Sequence, residues 1–241
     1  MFRWNAQMIS FLRDAYDYGD FHLKLAELLS EFISPTDSVC DAGCGLGYLS
    51  LALSPYSGSV TAVDLAEEPL KVLMHNLDCS IVSNLSVVNS EIGEHRPLKP
   101  YDVMVFCFFG SLEETLAAAK KNCLREVVMV KRNHANHRFT LRERPIRGYT
   151  AGGTADALRK LGIPYIYREA TFEFGQPFRY LADAVSFYKL YDKGDVKADI
   201  TEASVASQLV EVTHPLFRYY LNSRREIGLF CIKVADIPDS L

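Results

Sequence analysis

Residues 38–64 read as strand, glycine loop, helix and second strand, and this order constrains the fold more than any other feature of the chain. Ser38-Val-Cys-Asp41 is a short apolar strand running into Ala-Gly-Cys-Gly-Leu-Gly47. Tyr48 to Ser54 follows with a helical pattern, and Ser59-Val-Thr-Ala-Val-Asp64 is a strand again. Glycines at such a turn allow positive φ and let a ligand approach the backbone. In an open α/β sheet the ligand sits outside the C-terminal ends of the strands, where this loop lies.

The alternation continues along the chain. Leu70, Leu73, Met74 and Leu77 predict a helix opened by Glu67, Glu68 and Pro69, residue types suited to a first turn. Strands are expected at 85–89, 101–107, 126–131, 165–174 and 226–234, with helices over 112–121 and 154–161. Strands alternating with helices imply a mostly parallel sheet covered on both faces. Before it, Met8, Phe11, Leu12 and Ala15 share one helix face, and Leu25, Leu28, Leu29 and Phe32 form a second stripe that stops at Ser34-Pro35.

Two stretches exceed a minimal alternation. Residues 132–149 carry Arg132, His134, His137, Arg138, Arg142, Arg144 and Arg147 against the single acid Glu143. Such a cluster suits a carboxylate or phosphate on a substrate, or it is a solvated basic loop. Residues 175–225 carry helical stripes at Leu181, Val185 and Tyr188 and at Val205, Leu209 and Val212. Together with the N-terminal helices these stretches are expected to cover the ligand edge. The aromatic run from Tyr165 to Tyr191 reads as core, with some rings available to line an acceptor pocket. Tyr16 and Tyr18 are placed to close over a bound cofactor.

Composition limits the function classes. Of the 241 residues 49% are hydrophobic and 23% charged, which excludes a disordered chain. Lys and Arg number 26 against 30 Asp and Glu, a net charge of −4, which disfavours a broad nucleic-acid binder. No apolar run approaches the length of a bilayer span, and the opening residues do not lead into a signal-peptide core. The six cysteines form no Cys-x-x-Cys pair, so buried thiols of a reducing cytoplasm are expected, with no metal site and no disulfide framework. One domain over residues 1–241 is the expected organisation: an N-terminal helical extension (1–34), a core (35–174 and 226–235) and a helical cap (175–225).

Asp64 ends the second strand 17 positions after Gly47, where a carboxylate can accept both hydroxyls of a ribose. The dinucleotide fingerprint is Gly-x-Gly-x-x-Gly, whereas the loop here is Gly43-x-Gly45-x-Gly47 with Asp41 before it. An acid at that point opposes a pyrophosphate and suits an ammonium or sulfonium. On these residues the chain resembles the class I S-adenosylmethionine-dependent methyltransferases. Their first motif is an acid followed by Gly-x-Gly-x-Gly, and Asp64, Tyr101-Asp102 and the last strand continue the likeness. Ser90-Glu91 stands where the family often has a Gly-Asp-Ala-like turn, a departure from the pattern.

The resemblance implies a Rossmann-like sheet of seven strands, mostly parallel with the last antiparallel. It also implies a cofactor site of Asp41, Gly43, Cys44, Gly45, Gly47, Asp64, Leu65, Ser90, Glu91 and Phe106. Asp102 is expected to hold the local backbone. Methyl transfer from a sulfonium requires alignment more than a shared catalytic residue. The turn Phe106-Cys107-Phe108-Phe109-Gly110-Ser111 lacks the Asn/Asp-Pro-Pro-Tyr/Phe tetrapeptide of amino-group methylases. A small-molecule acceptor, anionic if the arginine loop binds it, is therefore expected. The alternatives are an RNA or protein methyltransferase using residues 132–149, a binding module without turnover, and a nicotinamide oxidoreductase. His134 and His137 are the candidate general bases, and the oligomeric state is left open.

Overall fold

The computed structural model describes residues 4–146, 150–192 and 200–239. Two helices open the chain, α1 (Ala6–Tyr18) and α2 (Phe21–Leu29). The Asn5 side chain accepts the Met8 N–H at 2.8 Å and so caps the first turn of α1. Alternating elements follow: β1 (Ser38–Ala42), α3 (Tyr48–Leu53), β2 (Ser59–Asp64), α4 (Glu67–Asp78), β3 (Leu85–Asn89) and β4 (Tyr101–Cys107). Then come α5 (Leu112–Asn122), β5 (Cys123–Arg132), α6 (Ala151–Leu161) and β6 (Ile166–Glu173). The chain continues with β7 (Gln176–Phe178), α7 (Leu181–Tyr191), α8 (Glu202–Ala206), β8 (Val210–Glu211), β9 (Tyr219–Leu221) and β10 (Arg224–Lys233).

Seven strands form one sheet in the order β3-β2-β1-β4-β5-β10-β6. β10 runs antiparallel to both β5 and β6, while the β1–β2, β1–β4, β2–β3 and β4–β5 pairs are parallel. This is the expected Rossmann-like architecture. The chain steps outward from β1 to β2 and β3, then returns to pair β4 on the other side of β1. The switch point therefore lies at the C-terminal ends of β1 and β4.

The period of two along each strand divides the core. Met104 and Phe106 of β4 and Val127 and Met129 of β5 pack under α5 and α6, against Leu116, Ala119 and Leu158. Their neighbours Val103, Val105, Val128 and Val130 face the other way, onto Leu25 and Leu29 of α2 and Leu49 and Leu53 of α3. Helices thus cover both faces, and the central strands β4 and β5 are buried on both sides, as the middle of a parallel sheet requires. The polar residues within this framework have local work. Asp102 accepts both the backbone N–H and the hydroxyl of Ser38, at 2.8 and 2.7 Å, and so joins β4 to the start of β1.

The segment between β6 and β10 departs from the helical expectation. α7 forms over the Leu181, Val185 and Tyr188 stripe. The Val205, Leu209 and Val212 stripe is not one helix but the short α8, a turn and β8. β7, β9 and β8 build a small antiparallel sheet in that order. Its strands have two or three residues each, too few for a period to register in sequence. Phe11 of α1 packs into this part through edge-on contacts with Phe178 and Phe187, joining the N-terminal helices to the cover. No helix among the described residues is long and apolar enough to cross a membrane.

Candidate functional site: the glycine loop and its surroundings

All three loop glycines take positive φ: 71° at Gly43, 53° at Gly45 and 74° at Gly47. A Cβ at Gly47 would fall 2.3 Å from a Leu73 methyl carbon, and one at Gly43 would fall 2.2 Å from the Phe109 ring. Glycine is thus required there by conformation and by space together. The loop is tied to the second strand. Gly43 N–H and Cys44 N–H both donate to the Val63 carbonyl, at 2.8 and 3.1 Å.

Asp64 completes the tie. Its Oδ2 accepts the Gly45 N–H at 2.9 Å and its Oδ1 accepts the Ala66 N–H at 2.8 Å. The next residue, Leu65, is an exposed apolar side chain. Asn89 at the end of β3 donates from its side-chain amide to the carbonyls of Asp64 and Leu65. Ser90 adds a backbone N–H to the Asp64 carbonyl at 3.0 Å, and Glu91 stands exposed beside it. The C-terminal ends of β1, β2 and β3 therefore converge on one surface around Asp64.

Asp41 is turned inward. It is 1% exposed and accepts the Ser50 hydroxyl of α3 at 2.6 Å. Burial pushes its carboxyl up to about 6, against the lowering effect of the Ser50 hydrogen bond, and the nearby Asp64 charge raises it further. Cys44 lies half-buried in the loop. Phe106 is wholly buried in β4, its ring stacked on that of Phe109 with centroids 6.3 Å apart.

The turn after β4 holds several residues that the sequence reading left without a role. Phe108 has φ of 54°, the one positive φ at a non-glycine residue among those described. It places the Phe109 ring over Gly43. Lys131, 3% exposed at the end of β5, donates to the carbonyls of Gly110 (2.9 Å) and Phe109 (3.3 Å) and pins this turn. A lysine directly after the apolar run Val127–Val130 was the readable signal, since an ammonium is buried there only with acceptors waiting. Trp4 lies over Gly45, 3.3 Å from where a Cβ would stand. Two aromatic rings therefore face the bare backbone of the loop.

Residues 33–141 match the family described as a methyltransferase domain. The strand order, the glycine loop and the acid that closes it agree with that match. This segment has the fold and the motif of a methyltransferase domain. A ubiquinone biosynthesis O-methyltransferase of Hydrogenovibrio crunogenus is 33% identical over 94 residues, which span 36% of this chain and 39% of that protein. Among solved structures, the YcgJ protein of Bacillus subtilis superposes with a TM-score of 0.55 at 15% identity, covering 89% of this chain and 99% of that one. A precorrin-6y C5,15-methyltransferase of Geobacter metallireducens gives 0.51 at 12% identity, covering 88% and 87%. These two likenesses show the fold alone.

The cofactor of this methyltransferase family is S-adenosylmethionine, and the residues of the loop fit it. Gly43 and Gly45 present backbone without side chains, and a Cβ on either would enter the space of Phe109 or Trp4. Asp64 offers a carboxylate at the end of β2, with apolar Leu65 beside it.

The arginine-rich stretch of the domain divides into two environments. Residues 133–146 form a bent hairpin in which His137 N–H donates to the Arg144 carbonyl and Ile146 N–H to that of Ala135. Arg132 and Arg142 are exposed, Arg144 is half-buried, and Arg147 lies outside the described residues. Arg138 is turned inward, donating through Nε to Ser223 Oγ at 2.9 Å and through Nη2 to the Phe174 carbonyl. His137 is exposed. His134 is half-buried against the Glu226 carbonyl, and burial together with Arg138 and Arg225 holds its imidazole below the usual histidine range.

Tyr16 packs on Tyr48, the first residue of α3 after the loop, with ring centroids 4.6 Å apart, and on Phe174 at 5.3 Å. Tyr18 stacks on Tyr220 at 4.8 Å. The N-terminal helix therefore lies against both the loop and the end of β6.

Proposed function

We propose that this chain transfers the methyl group of S-adenosylmethionine to a small-molecule acceptor by in-line displacement. The observation that carries the reading is the Asp64 carboxylate held against the Gly45 N–H at the switch point of the sheet. In this reading Asp64 receives the ribose hydroxyls and Gly43 to Gly47 receive the rest of the cofactor along bare backbone. Leu65 lies on one face of the adenine, with Ser90 and Glu91 at its edge. Asp41 supports the loop from beneath and places negative charge near the cofactor's ammonium. Phe109 and Trp4 give way to the cofactor and then shield it from water.

When bound, the sulfonium supplies an activated methyl group and a neutral thioether leaving group. The protein's share is to align donor and acceptor and to exclude water. A proton acceptor is needed only for a hydroxyl acceptor, and His134, neutral at pH 7 beside the inward-facing arginines, is the better placed of the two histidine candidates. A small acceptor is supported by the cover, whose interior is filled by mutually packed rings of Phe11, Phe139, Phe178 and Phe187. The Hydrogenovibrio relative, a ubiquinone biosynthesis O-methyltransferase, agrees with such an acceptor.

Calorimetry with S-adenosylmethionine and S-adenosylhomocysteine tests the cofactor, and binding tighter than about millimolar is expected. No heat for either compound refutes the reading. Labelled methyl transfer into a metabolite extract then identifies the acceptor.

A further inference from the structure

Arg138 and Arg225 are 87 positions apart in sequence, yet both guanidinium groups lie over the ring of Phe174, at 5.5 and 4.4 Å from its centroid. Arg225 comes from the second residue of β10, which pairs Phe172 of β6, so it stands above the ligand edge of the sheet. It is also packed on Phe21 (5.2 Å) and on Phe108 (4.7 Å), the residue that carries Phe109 over the glycine loop. Among the described residues it has no ion pair, and the charged groups acting on it include Arg132 but no carboxylate.

Arg138 is in a similar position. Two of its nitrogens have acceptors, but Nη1 is enclosed and has none. Its nearest acid, Glu173, has one carboxylate oxygen already accepting from the Tyr220 hydroxyl and the Ser223 N–H. Burial and the neighbouring Arg225 both work against the Arg138 cation.

Two like charges held together, with Glu173 already engaged through one oxygen, oppose folding. Ring contacts offset part of this, but a π face does not satisfy the in-plane N–H donors. An oxyanion satisfies them, since a guanidinium fork matches a carboxylate or phosphate.

We propose that Arg138 and Arg225 anchor a carboxylate or phosphate group of the methyl acceptor, beside the cofactor loop. This rests on the methyltransferase reading and adds the acceptor's chemical class. The rings of Phe21, Phe108 and Phe174 lie against the Arg225 guanidinium, so the anion belongs to a molecule with an apolar or aromatic body. Phe108 links the two sites, because one side of this turn bears on Arg225 and the next residue bears on Gly43.

The test uses the full chain with two probes, benzoate and inorganic phosphate, titrated against thermal unfolding at constant ionic strength with chloride as control. At least one probe is expected to raise Tm above chloride, since a ligand that binds the folded state stabilises it. In Arg225→Met the response should vanish, with the probe's Kd weakened by about tenfold or more. The same variant without probe should melt at the wild-type temperature or above it, because an unpaired cation has been replaced by an apolar chain.

A response to benzoate alone identifies a carboxylate, and a response to phosphate alone identifies a phosphate ester. No response to either probe in wild type overturns the proposal, as does a response that survives Arg225→Met. If that variant does not fold, Arg225→Lys retains charge without the fork. Unchanged probe affinity there also overturns it. S-adenosylhomocysteine binding is measured on the same samples. Its failure would refute the methyltransferase reading, whereas its success without an Arg225-dependent anion response refutes only the anchor.

Discussion

The Asp64 carboxylate accepts the Gly45 N–H at 2.9 Å across 19 positions of sequence, so the acid that would hold the cofactor also closes the loop that would receive it. In the proposed reading, cofactor recognition and loop geometry therefore depend on one side chain. Asp64→Ala should weaken S-adenosylhomocysteine binding by about tenfold to a hundredfold, the worth of one or two charge-assisted hydrogen bonds. Titration calorimetry measures this, and wild-type affinity in the variant would remove Asp64 from the site.

Asp41 carries a pH dependence of opposite sign to that of a paired carboxylate. Its folded-state value of about 6 lies above the ordinary 3.8, so the folded protein holds this proton more tightly than the unfolded chain does. Stability contributed by Asp41 therefore declines as pH rises from about 4 to about 6, a cost of about 3 kcal/mol that is fully present at higher pH. Asp41→Asn keeps an acceptor for the Ser50 hydroxyl and should be more stable than wild type at pH 7, with the gain absent near pH 4. Urea melts at the two pH values read the difference. The same variant should bind the cofactor less well if the carboxylate faces its ammonium.

The cover is fastened to the N-terminal helix by one bidentate ion pair. Arg179, between β7 and α7, donates to both oxygens of Asp14 in α1, at 2.6 and 3.0 Å, and Asp14 is 6% exposed. Arg179→Ala leaves that carboxylate buried without its partner. Because the arginine itself is 40% exposed, a loss of about 2 kcal/mol is expected, below the range for a fully buried pair. Chemical denaturation gives the magnitude. Limited proteolysis should show earlier cleavage within residues 175–225.

Trp4 is the single tryptophan of the chain and lies over Gly45. Its fluorescence should change in wavelength or intensity as S-adenosylhomocysteine is titrated, because the indole moves or is covered when the loop is occupied. The signal should saturate at the calorimetric Kd. An unchanged spectrum under saturating ligand would place the cofactor away from this ring.

The order of elements from Ser38 to Arg132 was readable from sequence because it depends on local periods. The apolar run of β4 and the helical stripe of α4 each show within a few residues. The glycine loop was equally legible, since positive φ at Gly43, Gly45 and Gly47 is a property that few other residues tolerate. The place of Asp64 at the end of a strand was legible in the same way.

Tertiary structure decided what depends on contacts between distant residues. Arg138 belonged to an arginine-rich run in which no position stood out, and Arg225 looked like a charged flank of the last strand. Only the return of β10 between β5 and β6 brings Arg138 within reach of Ser223, 85 positions away, and sets both guanidinium groups on Phe174. The small sheet of β7, β9 and β8 has the same origin, because strands of two or three residues persist only through partners far along the chain. Local periodicity thus determined the glycine-loop half of this protein. Long-range packing decided which side chains gather around Phe174 beside it, because contacts between distant residues are a property of the folded neighbourhood and have no sequence period.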